Sequence, residues 1–205
     1  SINPPNLTQI NLSGAIMDAN EALEKIEAAR KAADSIGGTI ECMISGLPVG
    51  LGGPLFEGLD GRIAQAVFAV PAVKGVEFGA GFDAARLRGS ENNDPYGMRD
   101  GVVTPLSNRA GGIAGGMTTG LPVLFRAALK PTPSIGQSQR TVSLKGGCDA
   151  ELRVTGRHDP CVVVRAVPVI EAVAALVALD ALLDAPARLP DTPLKTPLKT
   201  PLIAA

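Results

Sequence analysis

The densest chemistry in this 205-residue chain lies in the ten residues Gly156 to Arg165, GRHDPCVVVR. They hold two arginines, an aspartate, a cysteine and the single histidine. Each arginine presents a planar fork that grips a carboxylate or a phosphate in bidentate fashion. Asp159 stands between them. Either it forms an ion pair that caps the next segment, with His158 satisfied by a neighbour, or it is a carboxylate that moves a proton beside an anion site.

Two further stretches offer complementary parts. Lys130-Pro-Thr-Pro-Ser134 combines a point charge, two hydroxyls and two stiff prolines, the mixture a phosphate site uses, although such clusters are also ordinary loops. Asn108 to Met117, NRAGGIAGGM, has four glycines between Gly111 and Gly116. It is no Walker loop, since Met117 stands where lysine would be, and no dinucleotide fingerprint. The glycines admit either a flat ligand or a second backbone at close range; spacing does not choose between them. Gly46 to Gly53, GLPVGLGG, is shaped like the glycine loop of metabolite kinases, but Pro54 removes an N–H where a phosphate-binding helix would begin. It reads as a tight turn.

Composition narrows the rest. A net charge of -1 argues against a broad surface for nucleic acid or anionic membrane. Aromatics at 3%, with no Trp, argue against base stacking. One histidine and three cysteines (Cys42, Cys148, Cys161) without C-x-x-C spacing supply no zinc set, so no metal is expected, and reduced thiols point to the cytoplasm. No secretory signal is expected at the start, and Val169 to Leu183, interrupted by Glu171 and Asp180, reads as too short for a membrane span. With 45% hydrophobic residues, the 24 glycines and 17 prolines indicate a compact fold with many turns rather than disorder.

The elements that position these groups read as follows. Residues 1–17 form a leading strand or arm. Asp18 to Glu21 has the form of a helix start, and Glu21 to Asp34 an amphipathic helix with Leu23, Ile26, Ala29 and Ala33 inward and Gly37-Gly38 ending it. Thr39 to Ser45 is a strand, Leu59 to Val70 a helix with Ile63, Ala66 and Val67 inward, and Val73, Val76 and Phe78 belong to another strand. Asp83 to Pro105 is a long surface excursion. Pro122 to Leu129 is a short strand, and Gln139–Leu144 and Glu151–Val154 pair around Gly146-Gly147. Pro168 fits the first position of a final buried helix that is apolar all round. Residues 186–205, with a proline at nearly every fourth position, form an extended tail.

Taken in order, several stretches resemble chorismate synthase: residues 46–82, RGSENND (88–94), NRAGGIAGGMTTGLPV (108–123), ALKPTPS (128–134) and GRHDPCVVVRAVPVIEA (156–172). The resemblance spans Asp18 to Asp184, so residues 18–185 form its core. Val164 departs from it where proline or a small residue is usual. No Gly-Glu-Ser-His-Gly run and no segment rich in arginine and serine is present, so the chain resembles slightly more than the C-terminal half of that enzyme.

The resemblance implies an α+β fold of antiparallel sheets sandwiching central helices, in a homotetramer with each flavin near a subunit interface. It implies a trans-1,4 elimination of phosphate from 5-enolpyruvylshikimate 3-phosphate, giving chorismate with reduced FMN; whether NAD(P)H reduces that flavin is left open. It places flavin contacts at Pro71 and Ala72 (Pro71 through its backbone only), Gly115, Lys130, Pro131, Thr132, Pro133, Ser134 and Arg157. Asp159 takes the place of the aspartate that helps move the proton. A polypeptide lacking the other half is expected to be inactive alone. The alternative is a non-catalytic FMN- or phosphate-binding or assembly module that works with another chain.

Overall fold

The computed structural model describes residues 8–11, 19–99, 101–156 and 158–188. Arg157, Asp18 and the tail beyond Arg188 lie outside the described residues.

The architecture is α+β, with one four-stranded sheet covered on one face by helices. In chain order come strand β1 (Thr8–Asn11), helix α1 (Ala19–Lys31), strand β2 (Gly38–Ile44), helix α2 (Leu59–Phe68) and strand β3 (Val73–Phe78). The segment that follows holds a short helix α3 (Gly89–Asn92) and the hairpin β4 (Tyr96–Arg99) and β5 (Val102–Pro105), then the miniature hairpin β6 (Ile113–Ala114) and β7 (Met117–Thr118). Strand β8 (Val123–Leu129), the hairpin β9 (Ser138–Ser143) and β10 (Cys148–Arg153), and helix α4 (Val163–Arg188) complete it. The main sheet runs β1-β2-β8-β3, antiparallel throughout.

Strict alternation drives the sheet. In β2, Ile40, Cys42 and Ile44 are buried while the residues between them are half-exposed. In β8, Val123, Phe125, Ala127 and Leu129 do the same, because successive side chains of a strand point to opposite faces. The buried set meets Leu59, Ile63 and Val67 of α2 and Val163, Ala166, Ile170, Ala174, Ala178 and Ala181 of α4. Phe125 and Phe78 stack across β8 and β3 with ring centroids 5.8 Å apart. Arg62 of α2 reaches Asp180 and Asp184 of α4, a polar clamp over the apolar contact.

Several sequence expectations need correcting. Helix α1 ends at Lys31, before Gly37, and Ala33 takes a left-handed φ of 52° just beyond it. Leu23 is 63% exposed, so the inner face of α1 is Ala22, Ile26 and Ala29. The excursion from Asp83 is surface-exposed as expected, but it contains α3 and the β4–β5 hairpin. Pro168 is the sixth residue of α4, not the first; having no N–H, it leaves the Val164 carbonyl without its helical donor.

The largest correction concerns α4. It runs 26 residues, and Val163–Ala185 is long and apolar enough to cross a membrane by length and composition, so the expectation of a segment too short to span does not hold. Nor is it buried all round. Its alanine-rich face packs on the sheet, while Val169, Leu176, Leu179 and Leu183 are exposed, Leu176 and Leu183 at 65% and 69%. These positions and exposed Ala172 recur every three to four residues, the spacing of a seam made for another helix.

One-sided burial makes a direct prediction. Ile170→Ala, at a fully buried site, should cost about 2–5 kcal/mol in urea unfolding. Leu176→Ser should change it by no more than about 0.5 kcal/mol; a large loss there would mean that the outer face of α4 is already covered.

Candidate functional site

The site grows from the two ends of β8. At its far end, beyond Leu129, the Lys130–Ser134 loop begins. The Lys130 N–H donates to the Ala72 carbonyl (2.9 Å), which brings the Pro71-Ala72 turn against this loop. Ala72 has a positive φ of 74°, so its backbone is held in a conformation that a non-glycine residue adopts only when its surroundings impose it. Thr132 Oγ1 is buried and has no hydrogen-bond partner among the described residues. Lys130 is half-buried and makes no ion pair among the described residues. A buried hydroxyl without a partner among the described residues, two positions along the loop from a lysine, is a site that an anion would complete.

A second strand of the argument reaches Asp159. The turn after α1 is the junction. Ser35 Oγ donates to the Thr132 carbonyl at 2.6 Å, the Gly136 N–H donates to the Ala33 carbonyl at 2.9 Å, and the Ile36 N–H donates to the Pro160 carbonyl at 2.9 Å. Ile36 also bridges Cys161 in parallel register. One turn thus holds both the Lys130–Ser134 loop and the backbone next to Asp159.

Asp159 sits just before α4. Its Oδ1 accepts the Cys161 N–H at 3.3 Å, and Arg165 Nε lies 2.9 Å from Oδ2. That contact is an ion pair by distance, although the buried Oδ2 has no aligned hydrogen bond among the described residues. The carboxylate side chain is 22% exposed and the Arg165 side chain 74%, which leaves most of the guanidinium facing a cleft of about 380 Å³ lined by His158, Asp159, Pro160 and Arg165. His158 donates through Nε2 to the Val154 carbonyl at 3.1 Å, a structural bond. The ion-pair reading of this cluster is realised, and it leaves the carboxylate at the cleft.

The two buried cysteines, Cys42 and Cys161, are poor nucleophiles. Burial pushes the Cys42 thiol up to about 11, with Glu171 adding to it. Burial likewise raises Cys161, and Asp159 adds to that, against the opposing pull of the Val163 and Val164 N–H groups. A thiol held protonated does not attack.

At the near end of β8 lies the glycine strap. Its alternatives divide by residue. A Cβ on Gly111 would fall on the Gly79 amide nitrogen, on Gly112 on the Pro122 carbonyl oxygen, and on Gly116 on that of Gly53; here the glycines serve backbone packing. Gly115, with φ of 59°, has nothing within 4 Å of where a Cβ would stand, and it is exposed. It alone of the four keeps a face free for a ligand. Gly46–Gly53 is a turn, as expected, and it is also a partner: the Gly50 N–H donates to the Thr118 carbonyl (2.9 Å), and buried Thr118 bonds the Pro48 carbonyl and the Leu51 N–H through Oγ1. Gly115 nevertheless lies beside the start of α2, where the Leu59 N–H bonds the Gly116 carbonyl. Lys130 and Ala72 lie at the other end of β8, seven residues or about 20 Å away. Within one chain the structure gathers Pro71, Ala72 and Lys130 to Ser134, and leaves Gly115 apart.

A family model described as chorismate synthase matches residues 11–183. The chain belongs to the chorismate synthase family. It is 54% identical to the chorismate synthase of Methanosarcina barkeri (strain Fusaro / DSM 804) over 165 residues, covering 80% of this chain and 45% of the relative. It is 55% identical to that of Archaeoglobus fulgidus over 150 residues, covering 73% and 42%. A solved structure described as "Crystal Structure of Chorismate Synthase" superposes with a TM-score of 0.64 at 34% identity, over 80% of this chain and 42% of that one. The chain therefore spans less than half the length of the relatives it matches.

Sequence reasoning missed two groups. Ser35 lay in a stretch read only as a helix end. Asp94 lay in a polar excursion, yet its Oδ1 accepts Ser107 Oγ (2.5 Å) and the Arg109 N–H (2.7 Å), and its Oδ2 the Ala110 N–H (2.9 Å). An Asn-Asp-Pro turn beside a glycine strap was the available signal. Burial pushes the Asp94 carboxyl up, but the Ser107 hydroxyl and the Ala110 and Arg109 amides together outweigh it and leave it below its ordinary value. A lowered folded-state value gives stability that is full above the unfolded pKa and is lost as pH falls through the folded one. Asp94→Asn should therefore lower the urea midpoint at pH 7, and the gap to wild type should narrow as the pH falls below the ordinary carboxylate range.

The glycines give a second comparison. Gly112→Ala should destabilise the chain by more than Gly115→Ala, whose cost should stay at the roughly 1–2 kcal/mol of a left-handed non-glycine residue. Urea unfolding of the two variants checks the order; equal costs would remove the distinction between packed and free glycines.

Proposed function

We propose that this chain is the flavin-holding portion of a chorismate synthase, which eliminates phosphate from 5-enolpyruvylshikimate 3-phosphate to give chorismate and requires reduced FMN. The observation that carries the reading is the buried Thr132 hydroxyl, unpartnered among the described residues, in the loop that Lys130 fastens to Ala72, placed on the stretch that matches the family. These residues fit a phosphate-bearing flavin: Lys130 supplies charge, Thr132 and Ser134 hydroxyls, and Pro131 and Pro133 a backbone that loses little freedom on binding. Arg157 is assigned to the same group by resemblance alone. Gly115, at the other end of β8, meets a flavin held by a different copy, which is the role we give the homotetramer.

When bound, reduced FMN would supply a transiently lent electron and a place for a proton, with no net oxidation. The work of this chain's own residues is binding and proton handling. Lys130, Thr132 and Ser134 hold the phosphate end. Asp159, held beside the cleft by the Cys161 amide and paired with Arg165, would hold and pass a proton at its carboxylate. Arg165 keeps that carboxylate paired while leaving part of its fork open to an anion.

The division into an arm (1–17), a family core (18–185) and a tail (186–205) belongs to this proposal, as do a cytoplasmic location and the absence of nucleic-acid and membrane partners. The inactivity of this polypeptide alone also belongs to the proposal, because the histidine-bearing run and the arginine- and serine-rich segment of the family have no match in it. The alternative, a non-catalytic FMN- or phosphate-binding or assembly module, draws on the bare seam of α4.

The test is kinetic. In the full-length protein, Asp159→Asn should slow turnover by about 100-fold or more, the scale of lost acid–base catalysis, while FMN affinity changes little. Equal losses in turnover and flavin binding would make Asp159 structural. Chorismate formed by residues 1–205 alone, with substrate and chemically reduced FMN, would overturn the inactivity of the isolated chain.

A further inference from the structure

We infer that Ser35, outside every stretch that reads as a site, is a positioning residue for the phosphate loop. The inference rests on the flavin reading above. Pro131 and Pro133 have no N–H, so two of the three central residues of the Lys130–Ser134 loop cannot be fastened through their amides. Fastening falls to carbonyl oxygens. Two side chains reach them: Gln139 Nε2 donates to the Pro133 carbonyl at 3.3 Å, and Ser35 Oγ donates to the Thr132 carbonyl at 2.6 Å. The Ser35 bond is the shorter, and it acts on the residue whose hydroxyl is buried and unpartnered among the described residues.

The tether is itself built in. The Ser35 N–H donates to Asp34 Oδ1 at 2.8 Å. On one side, the Gly136 N–H is taken by the Ala33 carbonyl; on the other, the Ile36 N–H by the Pro160 carbonyl. A Cβ on Gly136 would stand 3.0 Å from that of Ala33 and 3.8 Å from His158 Cδ2, so the turn, the loop exit and the start of the Asp159 segment pack as one unit. A hydroxyl at position 35 therefore sets the Thr132 peptide plane, and with it the direction of Thr132 Oγ1, before any ligand arrives. Preorganising a loop in this way lowers the cost of binding rather than adding a contact.

The ligand chemistry is a phosphate monoester, carried on a flavin nucleotide; free phosphate offers the same group. In the full-length protein, FMN affinity is measured by flavin fluorescence for wild type, Ser35→Ala and Ser35→Thr, with inorganic phosphate as competitor and the melting midpoint of the flavin-free protein alongside. Loss of one hydrogen bond's worth of preorganisation should weaken FMN binding about 3- to 10-fold in Ser35→Ala. Phosphate should compete less well, the flavin-free midpoint should hold, turnover at saturating FMN should be kept, and Ser35→Thr should restore affinity. Unchanged FMN affinity in Ser35→Ala, or a loss that comes with a fallen midpoint and unaltered phosphate competition, overturns the positioning role. A wild-type protein that binds neither FMN nor phosphate sinks the flavin reading itself, and the inference with it.

Discussion

The pairing of β8 between β2 and β3 is the constraint on which the rest depends. Its buried residues, Val123, Phe125, Ala127 and Leu129, are the middle of the core, and its register to both neighbours places every loop that matters. A slip of one residue would turn those four side chains to the other face. It would also carry Lys130 away from Ala72 and the Leu124 backbone away from Gly79 and Gly111, to which it is bonded. The strand is a spacer with a candidate binding feature at each end.

Around that spacer, backbone groups rather than side chains do most of the joining. The strap at the near end is packed so closely that several glycines have carbonyl oxygens where a Cβ would go. At the far end, the turn after α1 supplies a serine hydroxyl, a carbonyl and an amide to two different loops. Fixed backbones suit a site that must hold a flat or phosphate-bearing group without reorganising. The excursion from Asp83 is anchored to the strap by one carboxylate, Asp94.

Helix α4 carries the other tension in the molecule. It is the longest element, one face satisfied by the sheet and α2 and the other a row of exposed Val and Leu. Such a row is costly in water and marks a surface meant to be covered. The chain spans less than half of its relatives.

Much was legible in the residues. Period-two alternation in β2 and β8, helical spacing in α2 and the paired strands β9 and β10 follow from patterns that local sterics and burial enforce, while the α+β class came with the family resemblance. The Lys130–Ser134 loop and the cluster at Asp159 stood out because charge, hydroxyls and prolines occur there together. What the residues could not tell is which neighbours they meet. Whether the strap's glycines face a ligand or a backbone, whether Asp159 pairs with Arg165, whether α4 is covered on both faces, and that Ser35 reaches Thr132 across 97 positions of chain were decided by tertiary structure. Composition and periodicity are local properties; which backbones approach closely enough to exclude a Cβ is settled only once the sheet's register has brought distant loops together.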